Sequence, residues 1–219
     1  MTTEANAPDE GKKRLKKTLF ATGLGGVAGF VVAFTFMQVV DAGSLGELGT
    51  SREIAALVSL VYLLTAGAVG FGVMAPNKGA AFLNVEDAEE LEEQKSMLGL
   101  ASVAFGASGL ALFLLALSAP VGPVPVEVAG IGFALCMALA TWLSLKSYRQ
   151  QDELMKSIGQ EAAATSYYLV LLVGGGWAVL THLGLAPAAS ALDWLSLFWA
   201  MMLLASFIVT ARKGMMTMR

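Results

Sequence analysis

Six stretches of this chain are each long enough and apolar enough to cross a lipid bilayer, and their interiors carry no Asp, Glu, Lys, Arg or His. They run Thr18–Val40, Ile54–Met74, Met97–Ser118, Val128–Tyr148, Ser166–Gly184 and Ala191–Ala211. Crossing about 30 Å of hydrocarbon takes about 20 helical residues. In that medium each segment must satisfy its own backbone N–H and C=O groups, which a helix does internally. A barrel strand would be about ten residues long and would alternate in polarity. The chain is therefore expected to be all-α and polytopic, a six-transmembrane-helix bundle.

Composition excludes the alternatives. The 219 residues are 56% hydrophobic and 14% charged, against about 25% charged in soluble domains. Mean hydropathy is +0.68, which excludes a disordered chain. A single cysteine, Cys136, excludes a disulfide framework. A formal charge of −3 lacks the basic surface that phosphate neutralisation requires, so no nucleic-acid partner is expected.

The basic residues set an orientation. Lys12, Lys13, Arg14, Lys16 and Lys17 precede the first span. Lys78 and Lys95 lie between spans two and three, and Lys146, Arg149 and Lys156 between four and five. Arg212, Lys213 and Arg219 follow the sixth, and Arg52 alone falls on the other side. By the positive-inside rule both termini are cytoplasmic. Residues 1–17 read as a disordered basic tail, 18–211 as the membrane domain and 212–219 as a second tail. Val40-Asp41-Ala42 looks like a signal cleavage site, but the preceding apolar run is longer than a signal core, so the first span is read as uncleaved. The run Lys12–Lys17 is also suited to anionic lipid.

The two cytoplasmic connections are expected to be helical, near 84–96 and 146–165, each continuous with the span that follows. Asn84 suits an N-cap, with Glu86 and Asp87 in the first turn. Val85, Ala88 and Leu91 form a weak apolar stripe, and Arg149/Glu153 and Asp152/Lys156 have the i, i+4 spacing of helix-surface pairs. An offset of 63 residues aligns Glu89-Glu90-Leu91 with Asp152-Glu153-Leu154, and Ala101-Ser102 with Ala164-Thr165. Spans two–three and four–five thus read as a parallel repeat of one helix–loop–helix unit. Glu89, Glu90, Arg149, Asp152 and Glu153 are the candidate cytoplasmic docking residues. The acidic run lacks the spacing of a calcium loop and reads as a solvated helix face.

Within the membrane the conspicuous residues are small. Gly25/Gly29 and Gly106/Gly109 fit small-residue packing faces. Gly174-Gly175-Gly176 at mid-span reads either as a packing face or as a helix break of the kind that lines transporter sites, with Trp177 beside it to plug or gate a gap. Gly106-Ala107-Ser108-Gly109 together with His182 resembles the serine and histidine of rhomboid intramembrane proteases. Ser108 sits near mid-span and His182 near an outer end, about 12 Å apart in depth at 1.5 Å per residue. A nucleophile and its base need hydrogen-bond contact, so that reading is disfavoured. No catalytic residue, cofactor or metal site is expected. Cys136 and the methionines 201, 202, 215, 216 and 218 read as packing residues.

At Asp152-Glu153-Leu154, Ile158, Glu161-Ala162 and Ser166-Tyr167 the chain resembles small bacterial inner-membrane proteins of unknown function. Their cytoplasmic connection carries Asp-Glu-Arg or Asp-Glu-Leu, then Ile, Ala and Ser/Thr entering the next span. The resemblance covers Arg149–Leu183 and, more weakly, Glu89–Leu117. Leu154 stands where many members have Arg. It implies a bacterial plasma membrane and no known chemistry. The expected role is a non-catalytic accessory, structural or partner-binding subunit, with a membrane-protein partner or a second copy as its mate. The alternative is a small channel or transporter with a midplane site at Gly174–Gly176.

Overall fold

The structure is a computed structural model that describes residues 7–79 and 88–215. Asn84, Val85, Glu86, Asp87, Met216, Met218 and Arg219 lie outside the described residues. Among the described residues the chain forms seven helices: α1 Ala7–Asp41, α2 Thr50–Met74, α3 Pro76–Gly79, α4 Ala88–Ala116, α5 Val126–Tyr148, α6 Glu153–His182 and α7 Ala191–Arg212. The extended pairing seen among them is a single bridge between Ser118 and Val124. Five helices, α2, α4, α5, α6 and α7, are long and apolar enough to cross a membrane, and α1 adds the shorter apolar stretch Gly25–Asp41.

α1 begins at Ala7, so residues 7–17 are helical where a disordered basic tail is expected. Lys, Arg and Leu are good helix formers and extend a helix already nucleated in the apolar stretch.

Local chemistry sets the other boundaries. Asp152 caps α6, its carboxylate accepting from the Met155 amide at 2.7 Å. Ser190 and Asp193 form a reciprocal capping box at the start of α7. α6 ends in a paired-amide motif around Gly184 (φ 72°): the Gly184 amide donates to the Thr181 carbonyl and the Leu185 amide to that of Leu180. Pro125 immediately precedes α5, where its missing N–H is no loss.

The long helices alternate in direction, giving two ends. The short-loop end carries 42–49, 117–125 and 183–190. The charged end carries α3, the starts of α4 and α6, and the end of α7. α6 has 30 residues, about 45 Å at 1.5 Å per residue, against about 30 Å of hydrocarbon. Its surplus lies at the charged end, where Lys213 just after α7 pairs with Glu161 at 2.9 Å.

The connection before α6 differs from the expected surface helix. α5 stops at Tyr148 and the chain turns through 149–152. Neither expected i, i+4 pair forms. Lys156 pairs with Glu153 instead, at 3.1 Å, and Asp152 is held by its capping bond. An N-cap residue has non-helical backbone, which breaks the spacing both pairs rely on.

Packing follows the order α5–α4–α2–α7–α6, with α1 against α2 near the short-loop end. The two units expected as repeats do not share one packing. α2 and α4 lie closely against each other, whereas α5 packs on α4 and α6 on α7. Leu91 is fully buried, and its counterpart Leu154 is 58% exposed. Acidic residues opening an apolar Ala/Leu helix recur wherever a span begins beside water, and that suffices for the shared pattern.

Small residues bring α4 onto α2. A Cβ at Gly109 would lie 2.8 Å from Tyr62 Cβ and 3.0 Å from the Ser59 carbonyl oxygen, and one at Gly106 would lie 3.4 Å from Ala66 Cβ. Tyr62 stacks on Phe105 at 4.5 Å between ring centroids, and Ser102 donates to the Ala66 carbonyl at 2.8 Å. The principal buried cluster, Phe36, Leu48, Ala55, Ala56, Leu112, Ala116 and Leu117, closes the short-loop end. Gly46 (φ 81°) is required there, because a Cβ would strike the Val121 carbonyl of the neighbouring loop.

Gly109→Leu is expected to destabilise the protein by about 1–3 kcal/mol through overpacking. Gly29→Leu, at a site with nothing within 4 Å, is expected to leave stability unchanged. Thermal unfolding in mild detergent distinguishes them, and equal melting of both variants would refute the α2–α4 packing.

Candidate functional site

The Gly174–Gly176 segment is the natural place to look for chemistry in the membrane. α6 runs through it as unbroken helix. A Cβ at Gly174 would lie 2.8 Å from the Trp194 ring and 2.9 Å from Leu197 Cδ2, so this glycine is where α7 comes against α6. At Gly175 a Cβ would meet only Leu171 of the same helix, at 3.8 Å, and at Gly176 it would meet nothing within 4 Å. The triple glycine is therefore one packing position followed by two open ones. Trp177 does not plug a helix gap. Its indole N–H donates to the Pro187 carbonyl at 3.0 Å, an oxygen that also accepts from the Thr181 hydroxyl. The α6–α7 loop is thereby folded back onto α6.

Beside Gly174 a cleft of about 230 Å³ opens between α2, α6 and α7. Its walls are Ile54 and Val58 from α2, Val173, Gly174 and Trp177 from α6, Ala189 from the loop, and Asp193, Trp194, Ser196, Leu197 and Ala200 from α7. Ser196 is buried, and its hydroxyl donates to the Leu192 carbonyl of its own helix. Asp193 is the single ionisable side chain of this lining. Its carboxylate accepts from the Ser190 amide at 2.7 Å and from the Ser51 hydroxyl at the start of α2. Asp193 thus joins two helix starts while closing the capping box. The sequence carried a usable signal for it, Ser190-x-x-Asp193, the spacing of a capping box.

Arg52, the exception to the charge asymmetry, has a specific task. Its guanidinium donates to the Ala116 carbonyl at 3.1 Å and to the Ser118 carbonyl. The Ala116 oxygen ends α4, where the helix leaves unpaired acceptors and its dipole favours a cation, and Ser118 lies just beyond it. Arg52 and Asp193 therefore tie α2 to α4 and to α7 at one end of the molecule.

Deeper in the spans, the Tyr62 hydroxyl donates to the Trp199 carbonyl at 2.8 Å, and the Trp199 indole N–H donates to the Ser108 carbonyl at 3.1 Å. This relay links α2, α7 and α4, and no sequence spacing signals it. The Ser108 hydroxyl is engaged by the Ala104 carbonyl at 3.0 Å, while His182 is exposed at the end of α6. Among the described residues, every buried side-chain nitrogen and oxygen has a hydrogen-bond partner.

The remaining expected residues divide by environment. Gly106 and Gly109 pack, whereas Gly25 and Gly29 on α1 meet nothing within 4 Å. At the charged end Glu89, Arg149, Asp152 and Glu153 are exposed and Glu90 is half-buried, accepting from the Gln94 amide at 3.0 Å. Comparison with protein-family models, with curated proteins and with solved structures finds no match for the chain.

Arg52→Gln is expected to cost about 1–3 kcal/mol, because the α4 carbonyls lose a charged donor in a half-buried site. A lowered unfolding midpoint in detergent checks this, and an unchanged midpoint would show that the bond contributes nothing to stability.

Proposed function

We propose that this chain is a non-catalytic, six-span protein of a bacterial inner membrane that serves as an accessory or structural subunit and binds a membrane-embedded partner, either another protein or a second copy. The carrying observation is the bare glycine face of α1. Gly23, Gly25, Gly26 and Gly29 meet nothing within 4 Å, and Val27, Phe30 and Phe34 beside them are largely exposed. Gly99, Gly106 and Gly109 of α4 and Gly174 of α6 each meet a residue of another helix. In lipid, helices associate through close packing of such small-residue faces, because water drives nothing together there. A face of this kind left open on α1 supports a partner helix as its complement.

The proposed orientation places both termini and the charged end in the cytoplasm, following the basic residues. There Glu89, Glu90, Arg149, Asp152 and Glu153 form the docking surface, and Lys12–Lys17 meets anionic headgroups. The channel or transporter reading draws less support. α6 is continuous through Gly174–Gly176, and the neighbouring cleft is lined mainly by apolar groups.

Purification of the tagged full-length chain from its native membrane in mild detergent is expected to retain a stoichiometric partner or a homo-oligomer. Gly25→Leu/Gly29→Leu is expected to release that mate without lowering the unfolding midpoint. A wild-type chain that purifies as a lone monomer would refute the accessory role. A reporter fused after Arg219 is expected to read cytoplasmic.

A further inference from the structure

The cleft between α2, α6 and α7 carries an arrangement that the accessory reading does not use and does not depend on. Its lining combines one carboxylate, Asp193, with two indoles, Trp177 and Trp194, and otherwise apolar or small groups. The carboxylate has hydrogen bonds from Ser190 and Ser51. Among the described residues no Lys, Arg or His forms an ion pair with it. Arg52, at the start of α2, is engaged by the Ala116 and Ser118 carbonyls. Among the described residues the cleft therefore holds a carboxylate without an ion-pair partner, with two indole rings in its wall.

Two physical terms select the same ligand. A carboxylate in a partly desolvated slot attracts a positive charge more strongly than it would in water. The faces of Trp rings attract cations through their quadrupole, most strongly when desolvated, and quaternary ammonium groups are the ligands that aromatic cages take. An ammonium without N–H donors suits the slot further, because the carboxylate already has its hydrogen bonds and the walls offer few acceptors. The ligand's apolar part would lie against side chains such as Val58 and Leu197. A neutral lipid tail would use the apolar walls alone, and an anion would be repelled. We propose that this cleft is a binding site for lipophilic cations of the aryl- or alkyl-quaternary ammonium class.

The test is calorimetric titration of the full-length protein, in maltoside micelles, with benzyltrimethylammonium and with benzylsulfonate. The two share a benzyl group and differ in the sign of the charge. The expected result is saturable binding of the cation at one site per chain and none of the anion. Asp193→Asn, which keeps a capping oxygen, is expected to weaken cation binding by about tenfold or more. Ala200→Phe, which fills the cleft and leaves Asp193 in place, is expected to abolish it. Absence of saturable cation binding by the wild type, equal binding of benzylsulfonate, or undiminished binding in Asp193→Asn would each overturn the proposal. If Asp193→Asn does not fold, undiminished binding in Ala200→Phe places the cation elsewhere and overturns it equally.

Discussion

The close approach of α4 to α2 is the contact on which the rest of the molecule depends. It exists because Gly109 presents no side chain to Tyr62 and Ser59, and Gly106 none to Ala66. Lipid tails are as apolar as Leu, so hydrophobicity alone does not hold two spans together, and dispersion contacts at short range must do so. With these backbones close, Tyr62 lies over Phe105 and reaches the Trp199 carbonyl, while Ser102 reaches Ala66. α5 then adds to α4, α7 lies against α2 and also touches α4, and α6 packs on α7.

Charge is used sparingly and at the edges. At the short-loop end one cation and one anion do separate work. Arg52 answers carbonyls at and just beyond the end of α4, and Asp193 accepts from the Ser190 amide just before α7 and from the Ser51 hydroxyl. They complement opposite poles of different helices. That arrangement leaves Asp193 without a cation and facing an apolar cleft, the feature from which the ligand proposal grows. At the charged end Lys78, Lys95, Lys146, Arg149, Arg212 and Lys213 are exposed on turns and helix extensions, suited to a water-facing surface.

The helices are unequally committed to the fold. α2 and α4 bury the largest shares of their apolar windows and α6 the smallest of the five, 28% and 33% against 6%. α1 touches the others near one end only. In a bilayer such exposure carries no penalty in itself. The open glycines of α1 are different, since glycine weakens a helix interior and usually earns its place by admitting a close neighbour.

The sequence by itself determined the helical class and the long apolar helices α2, α4, α5, α6 and α7, five of the six spans it predicts. These follow from a one-dimensional rule, apolar run length in a medium without hydrogen-bonding solvent. Ser190-x-x-Asp193 was legible as the spacing of a capping box. Only the tertiary structure decided which glycines pack, that Gly174–Gly176 stays helical, that the 63-residue offset is no shared packing unit, and that Arg52 serves α4. The reason is that nearly every face of a spanning helix is apolar, so hydrophobic periodicity no longer marks the inward side. Which face meets which neighbour then rests on the fit of particular side chains between helices up to 137 residues apart in the chain, as Tyr62 and Trp199 are, and no local pattern encodes that fit.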